Sequence, residues 1–102
     1  MPLRIVFSAR ADGQLRSLYR YIARQADPET AENYLTRIVQ RCHAIVDVPR
    51  GGRPRGELGK DLRSVTFEGR ATILYRLRSD EVVISAVFHR GRDVERQFRR
   101  RR

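Results

Sequence analysis

The chain of 102 residues has no tryptophan, one methionine, one cysteine and one lysine. A single cysteine, Cys42, excludes an internal disulfide, so a reducing cytoplasm is the expected setting. Two histidines and that one cysteine, without ligand spacing, do not make a zinc site. No run approaches the ~20 apolar residues that a bilayer span requires, and the N-terminal stretch lacks the long apolar region of a signal peptide. No glycine-rich phosphate loop links a strand to a helix, and no serine has the partners of a nucleophile. Neither a metal nor a cofactor is expected, nor contact with a membrane.

What the chain does have is arginine. Of 22 basic residues 21 are arginine, set against 12 acidic ones, for a net charge of +10. The charge is uneven: residues 1–26 carry +4, 27–48 carry −2, 49–70 carry +3, 71–91 carry +1 and 92–102 carry +4. Guanidinium groups offer a planar fork to phosphate or carboxylate and stack on bases. An acidic macromolecule is therefore the expected partner, and charge alone fits nucleic acid and acidic protein equally well.

Periodicity gives one small domain over residues 1–98 and a basic tail over 99–102. Residues 3–7 read as a strand, and Ser8 is placed to cap a helix. Ala11, Leu15, Leu18, Ile22 and Ala26 then recur as one helical face, with Arg16, Arg20 and Arg24 on another. Asp27 and Pro28 restart the chain as N-cap and first helical residue. Ala31, Tyr34, Ile38, Cys42 and Ile45 form the second apolar face, which Pro49 ends. Two helices so closely joined should pack as an antiparallel hairpin.

Four glycines and Pro54 make residues 50–61 a loop. Three strands follow, over residues 62–67, 71–77 and 82–88, separated by Glu68-Gly69 and Ser79-Asp80 turns. In the second, Ile73, Tyr75 and Leu77 take one side and Thr72, Leu74 and Arg76 the other. The third is the most apolar, which suits a central strand covered on both faces. A short helix is expected over 93–98. The fold class is thus α+β: an N-terminal strand and a helical hairpin packed on a three-stranded antiparallel meander, with one sheet face and at least one edge left open.

These residues together resemble the ParE/RelE superfamily of bacterial toxins from type II toxin–antitoxin operons, the ParE branch in particular. The matching stretches are Phe7-Ser8-Ala9-Arg10-Ala11, Leu18-Tyr19-Arg20-Tyr21-Ile22-Ala23, Asp27-Pro28 with Ala31 and Tyr34, and Pro49 with Gly52-Arg53-Pro54-Arg55-Gly56-Glu57-Leu58. They continue through Leu62-Arg63-Ser64, Ile73-Leu74-Tyr75-Arg76 and Val87-Phe88-His89-Arg90-Gly91-Arg92-Asp93-Val94. Each is weak alone; their order and spacing are specific. The resemblance implies a ParD-like antitoxin partner and a toxic activity released when that antitoxin is degraded. ParE-like toxins poison DNA gyrase, whereas RelE-like toxins cut messenger RNA in the ribosomal A site.

Metal-free RNA cleavage needs a base, an acid and cations for the phosphorane charge. Arg53, Arg55, Arg63 and Arg76 are expected to line one surface, with His89 or Glu57 as proton-transfer groups. RelE-like nucleases commonly carry a tyrosine beyond the last strand, and none follows Tyr75 here. The His89, Arg92, Asp93 pattern is that of the ParE branch. The expected target- and antitoxin-binding residues are accordingly Arg53, Arg55, Arg63, Arg76, His89 and Arg92. A ribosome-dependent endonuclease and a plain nucleic-acid-binding protein remain as alternatives. His89 also fits a structural role fastening the last strand, and Tyr19, Tyr21 and Tyr34 fit hairpin packing.

Overall fold

A computed structural model describes residues 3–89. Strand β1 (Arg4–Phe7) leads into helix α1 (Ala9–Gln25), helix α2 (Pro28–Ala44) and a 3-10 turn (Ile45–Asp47). Strands β2 (Arg53–Pro54), β3 (Leu62–Phe67), β4 (Ala71–Arg78) and β5 (Glu81–His89) complete it. The expected helix over 93–98 and the tail over 99–102 lie outside the described residues. No described helix is long and apolar enough to cross a membrane.

Both helix starts follow from their caps. The Ser8 hydroxyl accepts from the Ala11 amide at 3.0 Å and donates to the Ser85 carbonyl at 2.9 Å, which fastens α1 to β5. The Asp27 carboxylate accepts from the Thr30 amide at 2.7 Å, and this bond holds its pKa below the ordinary carboxylate value. Ala26, expected on the apolar face of α1, is exposed. It is the residue at which the helix ends, so it no longer follows the helical stripe.

The sheet has five strands in the order β1-β5-β4-β3-β2, where the sequence suggested a separate N-terminal strand and a meander of three. β1 lies parallel to β5 and places it inside the sheet. Arg53 and Pro54, expected to be loop, pair with Ser64 and Arg63 and extend the other edge. The β3–β4 turn has Glu68 at φ 50° and Gly69 at φ 65°, the two positive φ values that a tight hairpin turn demands.

Two apolar clusters sandwich this sheet. The larger joins Ala11, Leu15 and Leu18 of α1 and Tyr34, Ile38 and Cys42 of α2 to Phe67, Ile73, Tyr75, Val82, Ile84 and Val87. Cys42 is fully buried there, and desolvation pushes its thiol pKa up to about 12, so it is an inert packing group. The smaller cluster, Leu58, Leu62, Leu74, Ala86 and Phe88, lies on the opposite face.

The register of β5 explains how one strand feeds both. Tyr75 is opposite Ile84, yet Leu74 is opposite Ala86, so Ser85 is an extra residue that bulges from the ladder. Strict alternation would put Val82, Ile84, Ala86 and Phe88 on one face. The bulge reverses the faces: Val82 and Ile84 meet the helices before it, and Val87 meets them after it.

Tyr75 ties the loop before β2 to this framework. Its fully buried hydroxyl donates to the Pro49 carbonyl at 2.8 Å and accepts from the Gly52 amide at 2.9 Å. Gly52 must lack a side chain, since a Cβ there would stand 2.4 Å from the Tyr75 oxygen. Tyr75→Phe should therefore leave two backbone groups without partners and destabilise the fold by about 1–3 kcal/mol. Urea unfolding measures this, and an unchanged midpoint would refute the anchoring role.

Candidate functional site

Register and clustering sort the arginines onto different faces. Arg63 is directly opposite Tyr75, which packs against the helices. Its Nη1 donates to the carbonyls of Arg50 at 3.0 Å and Gly52 at 2.9 Å. Arg63 is thus the second anchor of the loop that Tyr75 holds. Arg76 alternates with Leu74 and Thr72 and faces the other way. The expectation that Arg53, Arg55, Arg63 and Arg76 line one surface is corrected in this respect: the strand pleat puts Arg63 and Arg76 on opposite faces.

The face away from the helices gathers the rest. Arg53 pairs with Ser64 and so shares its side of the sheet. Arg55 donates through Nε to Glu57 at 2.7 Å and through Nη1 to the Ser64 hydroxyl at 3.5 Å. Leu58, buried behind Glu57, packs with Leu62, Leu74, Ala86 and Phe88. Arg10 of α1 sets its guanidinium 5.5 Å from the centre of the Phe88 ring, within cation–π reach. These five apolar residues are buried, none more than 4% exposed, and Arg10, Arg53, Arg55 and Arg76 lie around them. Nothing in the sequence pattern pointed to Arg10, because its place depends on how α1 crosses β5.

Charge on this face is only partly balanced. The hydrogen bond from Arg55 holds the Glu57 carboxyl below its ordinary pKa, so it stays ionised and paired. Arg53 and Arg76 have no ion pair among the described residues. The Nε of Arg76 is buried without a hydrogen-bond partner among them.

His89 sits elsewhere. The bulge at Ser85 puts it, with Val87, on the helix side, opposite Ala71 at the end of β4. Its ring meets Tyr34 edge-on at 5.9 Å between centroids and Tyr21 at 6.4 Å. Tyr34 also packs against Phe67 at 5.5 Å. Arg63 and His89 are separated by four residue positions along β4, roughly 13 Å at the usual strand rise. Arg92 lies outside the described residues.

Around His89 runs a groove of about 1550 Å³ between α1, α2 and the end of the sheet. One wall is fixed by Arg37 of α2, whose Nε and Nη2 donate to both Glu68 oxygens at 2.8 and 3.1 Å. The Arg37 guanidinium also lies 5.4 Å from the Tyr34 ring centre. Tyr34 is 7% exposed, and its hydroxyl has no hydrogen-bond partner among the described residues. Desolvation, then the Glu68 charge, raises its pKa. Tyr21, read from the sequence as a packing residue, is 52% exposed at the groove.

Among the described residues, no three His, Cys, Asp or Glu side chains group as metal ligands would. The candidate site is an arginine-bearing sheet face over a buried apolar cluster and, on the other side, an aromatic groove.

This fold is that of known toxin structures. One, described as a chromosomal ParDE TA system from P. aeruginosa, superposes with a TM-score of 0.77 at 19% identity, covering 87% of this chain and 97% of that one. Another, the toxin–antitoxin complex RelBE2 from Mycobacterium tuberculosis, gives a TM-score of 0.64 at 27% identity, covering 88% of this chain and 100% of that one. No curated protein matches the chain. The model of the family described as ParE toxin of type II toxin-antitoxin system, parDE, matches residues 5–94. The chain belongs to that family.

The Arg37–Glu68 clamp gives a pH test of the groove wall. Its hydrogen bonds hold Glu68 below its ordinary pKa. Their contribution to stability is present above that ordinary value and lost as pH falls through the depressed one. Glu68→Gln should lower the urea midpoint at pH ~7 and converge with the parent only as pH falls through the depressed carboxyl value. A gap that persists in acid would rule the clamp out as its source.

Proposed function

We propose that this ParE-family chain is a toxin that inhibits DNA gyrase without cleaving RNA, and that a cognate ParD-like antitoxin holds it inactive in the cytoplasm. The observation that carries the reading is the failure of a nuclease constellation to converge. His89 and Arg63 lie on the helix side of the sheet, well apart, while Arg76 lies on the other. Glu57 is an ionised partner of Arg55, and so a weak base. A general base, a general acid and a phosphate-binding cation must meet within hydrogen-bond reach of one atom, and these do not.

An inhibitor needs only a surface that binds. Arg53, Arg55 and Arg76 lie over a buried apolar cluster and offer guanidinium donors to an acidic partner. The antitoxin is expected to bring an acidic segment over such cations, with fast and salt-sensitive association. In this reading Arg63 supports the loop that presents Arg53 and Arg55, and His89 packs against Tyr34 and Tyr21.

The likeness to RelBE2 keeps a second reading in view: a ribosome-dependent endonuclease using the Glu57, Arg55 and Arg76 group. Supercoiling by gyrase, scored also for trapped cleaved DNA, decides between them. The expected result is inhibition that the antitoxin relieves. Arg76→Met should weaken inhibition about tenfold or more while stability stays level or rises, because its buried nitrogen has no partner to lose. Unaffected gyrase together with ribosome-dependent messenger RNA cleavage would replace this reading with the endonuclease.

A further inference from the structure

The gyrase reading uses the sheet face and its loop; it leaves the outer side of α1 unexplained. Arg16, Arg20 and Arg24 stand there at intervals of four residues, all exposed. At the helical rise they form a nearly straight row with about 6 Å between neighbours and about 12 Å end to end. Asp12 is the single acidic residue of α1, and it meets Arg16 at 2.9 Å. Arg20 reaches only the Ser17 hydroxyl, at 3.4 Å. Neither Arg20 nor Arg24 makes an ion pair among the described residues.

This arrangement costs the isolated protein stability. Like charges four residues apart on a helix repel by about 0.2–0.5 kcal/mol per pair, and the row holds two such pairs. Gly13 adds to the cost, since glycine inside a helix loses roughly 0.5–1 kcal/mol relative to alanine. A Cβ at Gly13 would touch nothing, so no packing within the fold requires glycine. It lies three residues before Arg16 and seven before Arg20, on the same exposed face, where a bare backbone permits close approach. Tyr19, between Arg16 and Arg20, is 37% exposed.

We propose that the outer face of α1 docks on the phosphate backbone of duplex DNA. Evenly spaced cations in a row complement evenly spaced phosphates, and guanidinium groups suit phosphate oxygens in geometry as well as charge. Single strands are held by successive aromatic platforms, whereas Tyr19 and Tyr21 flank this row about 100° to either side instead of following it. Double-stranded RNA offers phosphates in A-form geometry, and it is compared directly in the test. The contact needs no gyrase: it places the toxin on DNA by itself and is independent of what the sheet face inhibits.

Fluorescence anisotropy with a labelled duplex of about two helical turns (~20 base pairs) tests this on the full chain freed of antitoxin. Three phosphate contacts predict that the slope of log affinity against log salt, between ~50 and ~200 mM, is shallower by about 2.7 in the Arg16→Gln, Arg20→Gln, Arg24→Gln variant. Glutamine keeps the helix propensity of arginine. Should the triple variant misfold, Arg20→Gln alone must lower the slope by about 0.9. An unchanged slope overturns the proposal. Equal loss of binding to single-stranded or double-stranded RNA overturns the assignment to duplex DNA. Weakened antitoxin binding with an unchanged DNA slope assigns the face to an acidic protein instead.

Discussion

A single bulged residue in the strand that both apolar clusters share governs this protein. β5 is hydrogen-bonded to β1 on one side and β4 on the other, and side chains cover it on both faces. Strand faces alternate with a period of two, so one extra residue exchanges them. Ser85 is that residue. Before it, Val82 and Ile84 bury against the helices; beyond it, Val87 does so, while Ala86 and Phe88 build the second cluster. The same exchange turns His89 toward Tyr34 and Tyr21, away from Arg76. The Ser8 side chain, bonded to the Ser85 carbonyl, holds the start of α1 at the bulge.

The arginines divide by what their nitrogens meet. Arg63 serves the backbone, satisfying two loop carbonyls beside the Tyr75 hydroxyl. Arg37 and Arg55 are neutralised by Glu68 and Glu57. Arg53, Arg76, Arg20 and Arg24 have no such partner among the described residues, and they occupy two separate surfaces: the sheet face and the outer side of α1. A net charge of +10 thus understates the organisation. Among the others, Arg53 and Arg76 share the sheet face, and Arg20 and Arg24 share the outer side of α1.

In the proposed reading, these groups are where partners bind. Arginines gathered on a sheet face provide charge for steering a partner. The latch of Pro49, Gly52, Arg63 and Tyr75 makes the border rigid, so Arg53 and Arg55 are presented in a fixed place. A loop carrying four glycines would otherwise lose much conformational entropy on meeting a partner.

The sequence determined the elements. Apolar residues at helical spacing, Ser8 and Asp27 at the caps, Pro28 at the first turn and Glu68-Gly69 at the hairpin are local signals, each acting through neighbouring backbone groups. The sides of β4 were legible for the same reason, since Ile73, Tyr75 and Leu77 alternate strictly with Thr72, Leu74 and Arg76. Tertiary structure decided the partners: β1 beside β5, the pairing of Arg53 and Pro54 with β3, Arg10 over Phe88, and the separation of Arg63 and His89 from Arg76. These depend on long-range register. A bulge has no sequence signature of its own, because the extra residue is chosen by the packing of both faces together. The candidate site was therefore readable as a set of residues, and its geometry only after β5 had been shared between two cores.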